Sequence, residues 1–293
     1  MSSFYIILTG SLVAVCCAIL GCFLILRKMA MVGDAISHAV LPGIVLAFLW
    51  SGSRDSVTML IGAGTLGIIS TFIIEFLNNK GKLQSDASIG VTFTWLFALG
   101  VILISAFAGQ VDLDQECVLY GEIAYVPLDT IMLSNGIDIG PQALYLLGAV
   151  LLMVITFVSL GFNQLKITSF DPQYAISLGI SATLWNYLLM AFVSFTTVAS
   201  FESVGAILVV AFLIAPPATA YLLTKKLKKM IFLACLVGIL SAIGGHFLAI
   251  SINGSIAGAM ATVAGLLFAI AFIFTRIKSK SASKITSMES IST

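Results

Sequence analysis

Long apolar runs, separated by short stretches that carry most of the charged residues, are the feature that most constrains the fold of this chain. A helix needs about 20 apolar residues to cross the hydrocarbon core of a bilayer, where backbone polar groups find no water. Charged residues make up only 9% of the 293 residues, too few to cover a soluble globule of this size. The pattern therefore predicts an all-α, polytopic membrane protein.

Nine runs reach spanning length, and we expect each to form one transmembrane helix. They comprise residues 4–26, 29–50, 57–77, 89–107, 143–161, 180–198, 203–223, 231–250 and 255–274. We expect residues 1–276 to form a single transmembrane domain. Residues 277–293 are rich in Ser, Thr and Lys, and this composition predicts a polar, disordered tail.

The basic residues indicate how such a bundle lies in the membrane. With nine spans and the N-terminus outside, 13 of the 14 Lys and Arg residues fall in inner segments, and only Arg54 falls outside. Inner loops of membrane proteins are enriched in Lys and Arg, and eight or ten spans would scatter these charges over both sides. We therefore predict an outer N-terminus and an inner C-terminus.

Two ionisable residues, Asp34 and His38, lie four positions apart in the second run, so that a helix places them on one face. A helix over residues 35–50 alone would be about 24 Å long, short of the roughly 30 Å hydrocarbon core. We therefore expect the helix to begin near Met29 and to carry both residues within the membrane. Ionisable residues at such depth are costly without partners and are candidates for a functional site.

Spacing alone leaves two interpretations of this pair open. An internal ion pair between the two side chains would fix helix packing. Alternatively, a carboxylate oxygen and an imidazole nitrogen could ligate one cation, and these donors suit Mn²⁺, Fe²⁺ and Zn²⁺ better than Cu⁺. Because metal sites of this kind need about four donors, a second copy of the helix would have to supply the others.

Three further features each allow two interpretations. Glu202, placed at the start of the seventh run, is either stabilised by the positive end of the helix dipole or is a second cation ligand near the outer mouth. The acidic segment 108–142 is either a solvated loop with an interfacial helix over residues 116–126, or a surface that attracts cations and a basic partner. His246 is either a hydrogen-bonded packing residue or a ligand.

Proline positions predict two local features. Asp171 followed by Pro172 fits the N-cap and first position of a short helix, residues 172–178, which we expect at the inner surface where a partner could dock. The adjacent Pro216 and Pro217 interrupt the backbone hydrogen bonds of the seventh run and predict a kink near its inner end.

Several chemistries have no motif in this sequence. It contains no GxxxxGK[ST] phosphate-binding loop, no GxSxG and no HExxH. We therefore expect a transport subunit rather than an enzyme, with any ATP hydrolysis on another polypeptide.

The sequence resembles the membrane permease subunit of bacterial manganese/zinc/iron uptake ABC transporters. Five stretches carry the resemblance in order: LRKMAMVGDAISHAVLPGI, SDASIGVTFTWLFALG, VDLDQECVLYGEI, FDPQYAISLGI and SFESVGAILVVAFLIAPPATA. In this family Asp34 and His38 match an intramembrane metal-contacting pair, and Glu202 matches a carboxylate. Positions that match the cytoplasmic ATPase-coupling segment are Asp171, Ala175 and Gly179.

The resemblance implies a multi-pass subunit of an ATP-driven importer in the bacterial cytoplasmic, or inner, membrane. Its substrate would be a divalent metal ion, with no permanently bound cofactor. The implied partners are ABC ATPase subunits, an extracytoplasmic metal-binding protein, a second permease copy or sister permease, and membrane lipid, with no nucleic acid. The rival hypotheses are a stand-alone secondary metal or proton carrier and a non-transporting membrane scaffold.

Overall fold

Long helices make up most of the computed structural model, which describes residues 2–52, 56–107, 123–132 and 138–289. The helices are α1 (Ser2–Leu26), α2 (Val32–Ala39), α3 (Leu41–Ser51), α4 (Ser56–Asn79), α5 (Ser85–Phe107), α6 (Gln142–Leu160), α7 (Phe162–Phe170), α8 (Pro172–Ser177), α9 (Ala182–Val204), α10 (Ala206–Leu223), α11 (Leu227–Ile252) and α12 (Ile256–Glu289). A 3₁₀ turn (Val126–Leu128) precedes a small antiparallel hairpin of β1 (Thr130–Met132) and β2 (Asp138–Pro141).

Nine helical segments within the described residues are long and apolar enough to cross a membrane, which confirms the predicted number. Eight of them are single helices, and α2 and α3 together form the second span. The interfacial helix expected over residues 116–126 lies mostly outside the described residues. From residue 123 onward the chain forms a turn and the 3₁₀ helix, with Ile123 and Val126 buried.

The core of the bundle surrounds α1, which packs against α6, α9, α10 and α11. Its apolar side chains from Val13 to Leu24 are largely buried, and they include Cys16, Cys17 and Cys22 as free thiols. Small residues let the neighbouring helices approach closely, because there is little side chain between the backbones. The position of these cysteines agrees with a packing role.

The second span differs from the expected continuous helix in two respects. It begins at Val32 rather than Met29, and it is divided at Val40. Pro42 lacks the N–H that would bond to the His38 carbonyl, which explains the division. The two parts together contain 20 residues and reach about 30 Å, so the span still crosses the core although it starts later.

A reciprocal glycine contact attaches α3 to α4. A β-carbon at Gly43 would overlap the carbonyl oxygen of Gly62, and a β-carbon at Gly62 would overlap the carbonyl oxygen of Gly43. Only glycine permits this approach on both sides. The contact holds the second half of the second span firmly against the third span.

Two other boundaries differ from the expectation. The sixth span continues to Val204 because the chain turns at Gly205, whose positive φ of 79° suits glycine, so Glu202 belongs to the end of α9. The last helix continues to Glu289, whereas a disordered tail was expected from residue 277. Residues 277–289 contain neither Gly nor Pro to end a helix.

Candidate metal site

Helix α2 presents Asp34 and His38 on its one open face. Its other residues, Val32, Gly33, Ala35, Ile36, Ser37 and Ala39, are buried, whereas the Asp34 and His38 side chains remain 41% and 36% exposed. The Ser37 hydroxyl donates to the Asp34 carbonyl at 2.6 Å, which satisfies this hydroxyl within the helix. The predicted common face is confirmed, and it is the face turned away from the core.

The two side chains do not close on each other. His38 Nε2 and Asp34 Oδ1 are 3.9 Å apart, longer than a hydrogen bond between these atoms. Two donors that bind one ion at roughly 2.1 Å each lie about 3.4 Å apart at the tetrahedral angle, and a wider angle at the metal increases this distance. The observed separation is longer than either a hydrogen bond or a shared tetrahedral ion would set, so it leaves both interpretations of the pair open.

Two aromatic rings of α5 hold the imidazole. The His38 ring centroid lies 5.8 Å from that of Phe93, at a tilt of 38°, and 5.6 Å from that of Phe97, edge to face. These rings restrict the orientation of the imidazole and exclude water from part of its surface. Asp34 lies in the first turn of α2 and His38 in the last, an arrangement that the helix dipole favours for a carboxylate and an imidazolium.

The donor set on one chain is incomplete. Within residues 2–52, 56–107, 123–132 and 138–289, no group of three or more His, Cys, Asp or Glu side chains could hold a metal ion. Glu202 therefore does not join Asp34 and His38 as a third ligand in this chain. The interpretation that Glu202 lies at a helix N-terminus is wrong, because it occupies the last turn of α9, at the negative end of that helix.

His246 is a packing residue of α11 rather than part of the pair. It is 2% exposed, contacts Phe247 edge to face at 6.0 Å between centroids, and neither ring nitrogen has a hydrogen-bond partner among the described residues. The packing interpretation therefore agrees with the structure in burial but not in the expected hydrogen bond.

Replacing His246 by Met is expected to stabilise the protein by about 1 kcal/mol, because an unsatisfied buried polar group costs about 1–3 kcal/mol and Met fills irregular space. The measurement is the thermal unfolding midpoint in detergent, with His246→Asn as a control that keeps a polar group and gains nothing. A clear fall in the midpoint of the Met variant would show that the imidazole has a partner after all.

The short helix α8 forms as the Asp-Pro signal predicts. The Asp171 carboxylate accepts a hydrogen bond from the Tyr174 N–H at 3.0 Å, and Ala175 is fully buried. Gly179 follows with a left-handed φ of 76°, which turns the chain toward α9. Four large side chains around the helix stay exposed: Phe170, Tyr174, Ile176 and Leu178. The segment is thus a small apolar surface on a capped helix.

Sequence reasoning missed a polar network centred on Arg27. Its guanidinium donates from Nε to Ser169 Oγ at 3.0 Å, from Nη2 to Thr168 Oγ1 at 2.9 Å and from Nη1 to Asn186 Oδ1 at 2.6 Å. Asn186 Nδ2 in turn donates to Glu75 Oε2 at 2.5 Å. Burial lowers the pKa of Arg27 to about 10, and the Glu75 carboxylate opposes this shift.

The missed network had one signal in the sequence. Glu75 and Asn186 are polar residues inside apolar runs, which is where partnered polar groups are expected. That Arg27 bonds to Asn186, and through it reaches Glu75, could not be read from spacing, because the bonded residues are 159 and 111 positions apart. A cavity of about 460 Å³ lies beside the network and is also lined by Pro172 and Ile176 of α8.

Comparison with known proteins agrees with this architecture. The sequence model of the ABC 3 transport family matches residues 3–275. The manganese transport system membrane protein MntD of Bacillus subtilis (strain 168) is 52% identical over 270 residues, which cover 92% of this chain and 91% of MntD. The zinc transport system membrane protein TroD of Treponema pallidum (strain Nichols) is 46% identical over 269 residues, covering 92% of this chain and 73% of TroD.

A solved structure shares the fold. It is PsaBC from Streptococcus pneumoniae in complex with Fab, and the matching chain superposes with a TM-score of 0.73 at 34% sequence identity, over 92% of this chain and 90% of that one. The match of the family model over nearly the whole chain, the relatives and the shared fold agree with one another. The chain therefore belongs to the ABC 3 transport family.

Proposed function

We propose that this chain is the membrane permease subunit of an ATP-driven importer of divalent transition-metal ions: Mn²⁺, Zn²⁺ or Fe²⁺. The observation that carries the proposal is the Asp34 and His38 pair, 3.9 Å apart on the open face of a short membrane helix. The donors are an oxygen and an imidazole nitrogen, as these ions prefer. A manganese and a zinc transport protein among the relatives support the same substrate class.

The metal site requires two permease subunits. One chain supplies a carboxylate and an imidazole, and no third ligand among the described residues joins them. If the open face of α2 meets the same face of a second copy or a sister permease, two carboxylates and two imidazoles surround one cation. Four donors of this kind complete a transition-metal site. The ion is the cargo, so the site has to hold it only briefly.

Energy enters through partners on the inner side. With 13 of 14 basic residues on one side of nine spans, α8 lies at the cytoplasmic face of the bacterial inner membrane. The exposed apolar side chains around α8 form the surface that docks on an ABC ATPase subunit. The Asp171 cap, the buried Ala175 and the turn at Gly179 hold this segment in shape. An extracytoplasmic metal-binding protein delivers the ion to the opposite side.

Reconstitution tests this function. The permease assembled with its ATPase subunits in vesicles, and supplied with the metal-binding protein, is expected to accumulate Mn²⁺, Zn²⁺ or Fe²⁺ only when ATP is present. Elemental analysis after exposure to equal free concentrations of the three ions identifies the preferred one. Metal flux driven by an ion gradient through the permease alone would instead establish a secondary carrier, and no flux in either assay would favour a scaffold.

A further inference from the structure

The Arg27 network joins four separate parts of the chain at one point. Arg27 follows the end of α1, Thr168 and Ser169 end α7, Asn186 lies on α9 and Glu75 on α4. Ser169 is only two residues before Asp171, the cap of α8. The guanidinium is therefore bonded directly to the base of the segment that would receive an ATPase subunit.

Arginine is the residue that this arrangement requires. Its planar fork donates in three directions at once, to Thr168, Ser169 and Asn186, with fixed angles between the bonds. A lysine ammonium keeps the charge but is a single point on a flexible stem. Any movement of the α7 end relative to α9 would break at least one of these bonds within a partly buried site.

The Glu75 and Asn186 end of the network lies on helices that contact the helix carrying Asp34 and His38. Both α4 and α9 pack against α2, the helix that carries Asp34 and His38. At the meeting point of these three helices, a β-carbon at Gly67 of α4 would overlap the Ser194 hydroxyl of α9 and would contact Ile36 of α2. A displacement of α4 and α9 therefore acts on α2 through closely packed atoms.

We propose that Arg27 is a positioning residue that ties the base of α8 to α4 and α9, so that movement imposed on α8 reaches the helix carrying the metal pair. The proposal rests on the proposed transport function and concerns the coupling of ATP hydrolysis to it. The hydrogen bonds of the Arg27 side chain go to Thr168, Ser169 and Asn186, which lie outside both α2 and α8. The role of Arg27 is to make the base of α8 move together with α4 and α9.

The test uses the complete transporter in vesicles and measures metal ions imported per ATP hydrolysed. Arg27→Lys is expected to lower this ratio about tenfold while the ATPase rate stays within about twofold. Thr168→Val removes one acceptor and is expected to lower the ratio about threefold, whereas Thr168→Ser restores it. The neighbouring exposed Lys28 is the matched control, and Lys28→Met is expected to behave as the wild type.

A second measurement separates this inference from the transport proposal. Amide hydrogen exchange is followed in the complete complex with and without ATP. In the wild type, ATP is expected to change the amide exchange rates in α8, in the part of α4 around Glu75 and in the part of α9 around Asn186. In Arg27→Lys, ATP is expected to change the exchange rates in α8 alone. Absent metal uptake by the wild type would overturn the proposed function alone. An unchanged import ratio, or exchange changes that still reach α4 and α9 in Arg27→Lys, would overturn the inference.

Discussion

Asp34→Asn and His38→Ala are each expected to reduce metal import by the assembled transporter by more than about 100-fold, because even changes to groups behind a metal ligand cost about 10- to 100-fold. The asparagine keeps the shape of the side chain but removes the negative charge that attracts a cation. The alanine removes the imidazole while Phe93 and Phe97 keep the neighbouring wall of the site. Import is measured in vesicles, and assembly is checked by size-exclusion chromatography.

The control for this prediction lies on the same helix. Ser37→Ala removes a buried hydroxyl that, within the described part of the chain, bonds to the backbone carbonyl of Asp34, so import should stay within a few-fold of the wild type. The ATPase rate without metal should persist in all three variants. Undiminished import by both Asp34→Asn and His38→Ala would refute the metal site, and the pair would then be a packing feature.

Gly21→Ala is expected to destabilise the fold by about 3 kcal/mol or more, since overpacking of a rigid core commonly costs 1–3 kcal/mol and here the obstacle is backbone. A β-carbon at residue 21 would overlap the carbonyl oxygen of Leu213 and lie 2.8 Å from Pro217 Cγ. That carbonyl is the one to which residue 217 would donate if it were not proline. The Leu213 carbonyl oxygen thus receives no hydrogen bond from residue 217 of its own helix, and Gly21 lets α1 pack directly over it.

The measurement is the yield of folded protein in membranes together with the thermal unfolding midpoint in detergent. Gly148→Ala is the matched control, because apart from its chain neighbours and the backbone of α6 itself, no atom of the described residues lies within 4 Å of the β-carbon it would add. That change is expected to be neutral or stabilising by up to about 1 kcal/mol through helix propensity. Equal midpoints for the two variants would show that α1 and α10 separate at little cost.

Hydropathy predicts the number and order of the spans because lipid leaves the backbone few alternatives to a helix. It does not predict where a helix is divided, since Val40 and Pro42 are as apolar as their neighbours. The position of Glu202 shows the same limit. The seventh span starts three residues later than predicted, at Ala206 instead of residue 203, which moves this carboxylate from the start of one helix to the end of another and reverses the sign of the dipole it faces.

The site was predictable to the extent that it is local. Four-residue spacing places Asp34 and His38 together, and Asp171 with Pro172 places the short helix, because each signal depends on a single turn of backbone. The Arg27 network depends on packing between distant segments and has no such local signature. The remaining metal donors belong to another subunit in the proposed assembly, so the sequence of one chain predicts that they are needed but not how the two subunits bring them together.

The division of the second span has a mechanical consequence. The half after Val40 is held on the third span by the contact between Gly43 and Gly62, whereas the half before it carries Asp34 and His38. Pro42 removes one backbone hydrogen bond from the junction, which lowers the resistance to bending there. We expect the junction to bend more readily than an uninterrupted helix, and a change in the angle of the first half would reorient Asp34 and His38 while the second half stays in contact with the third span.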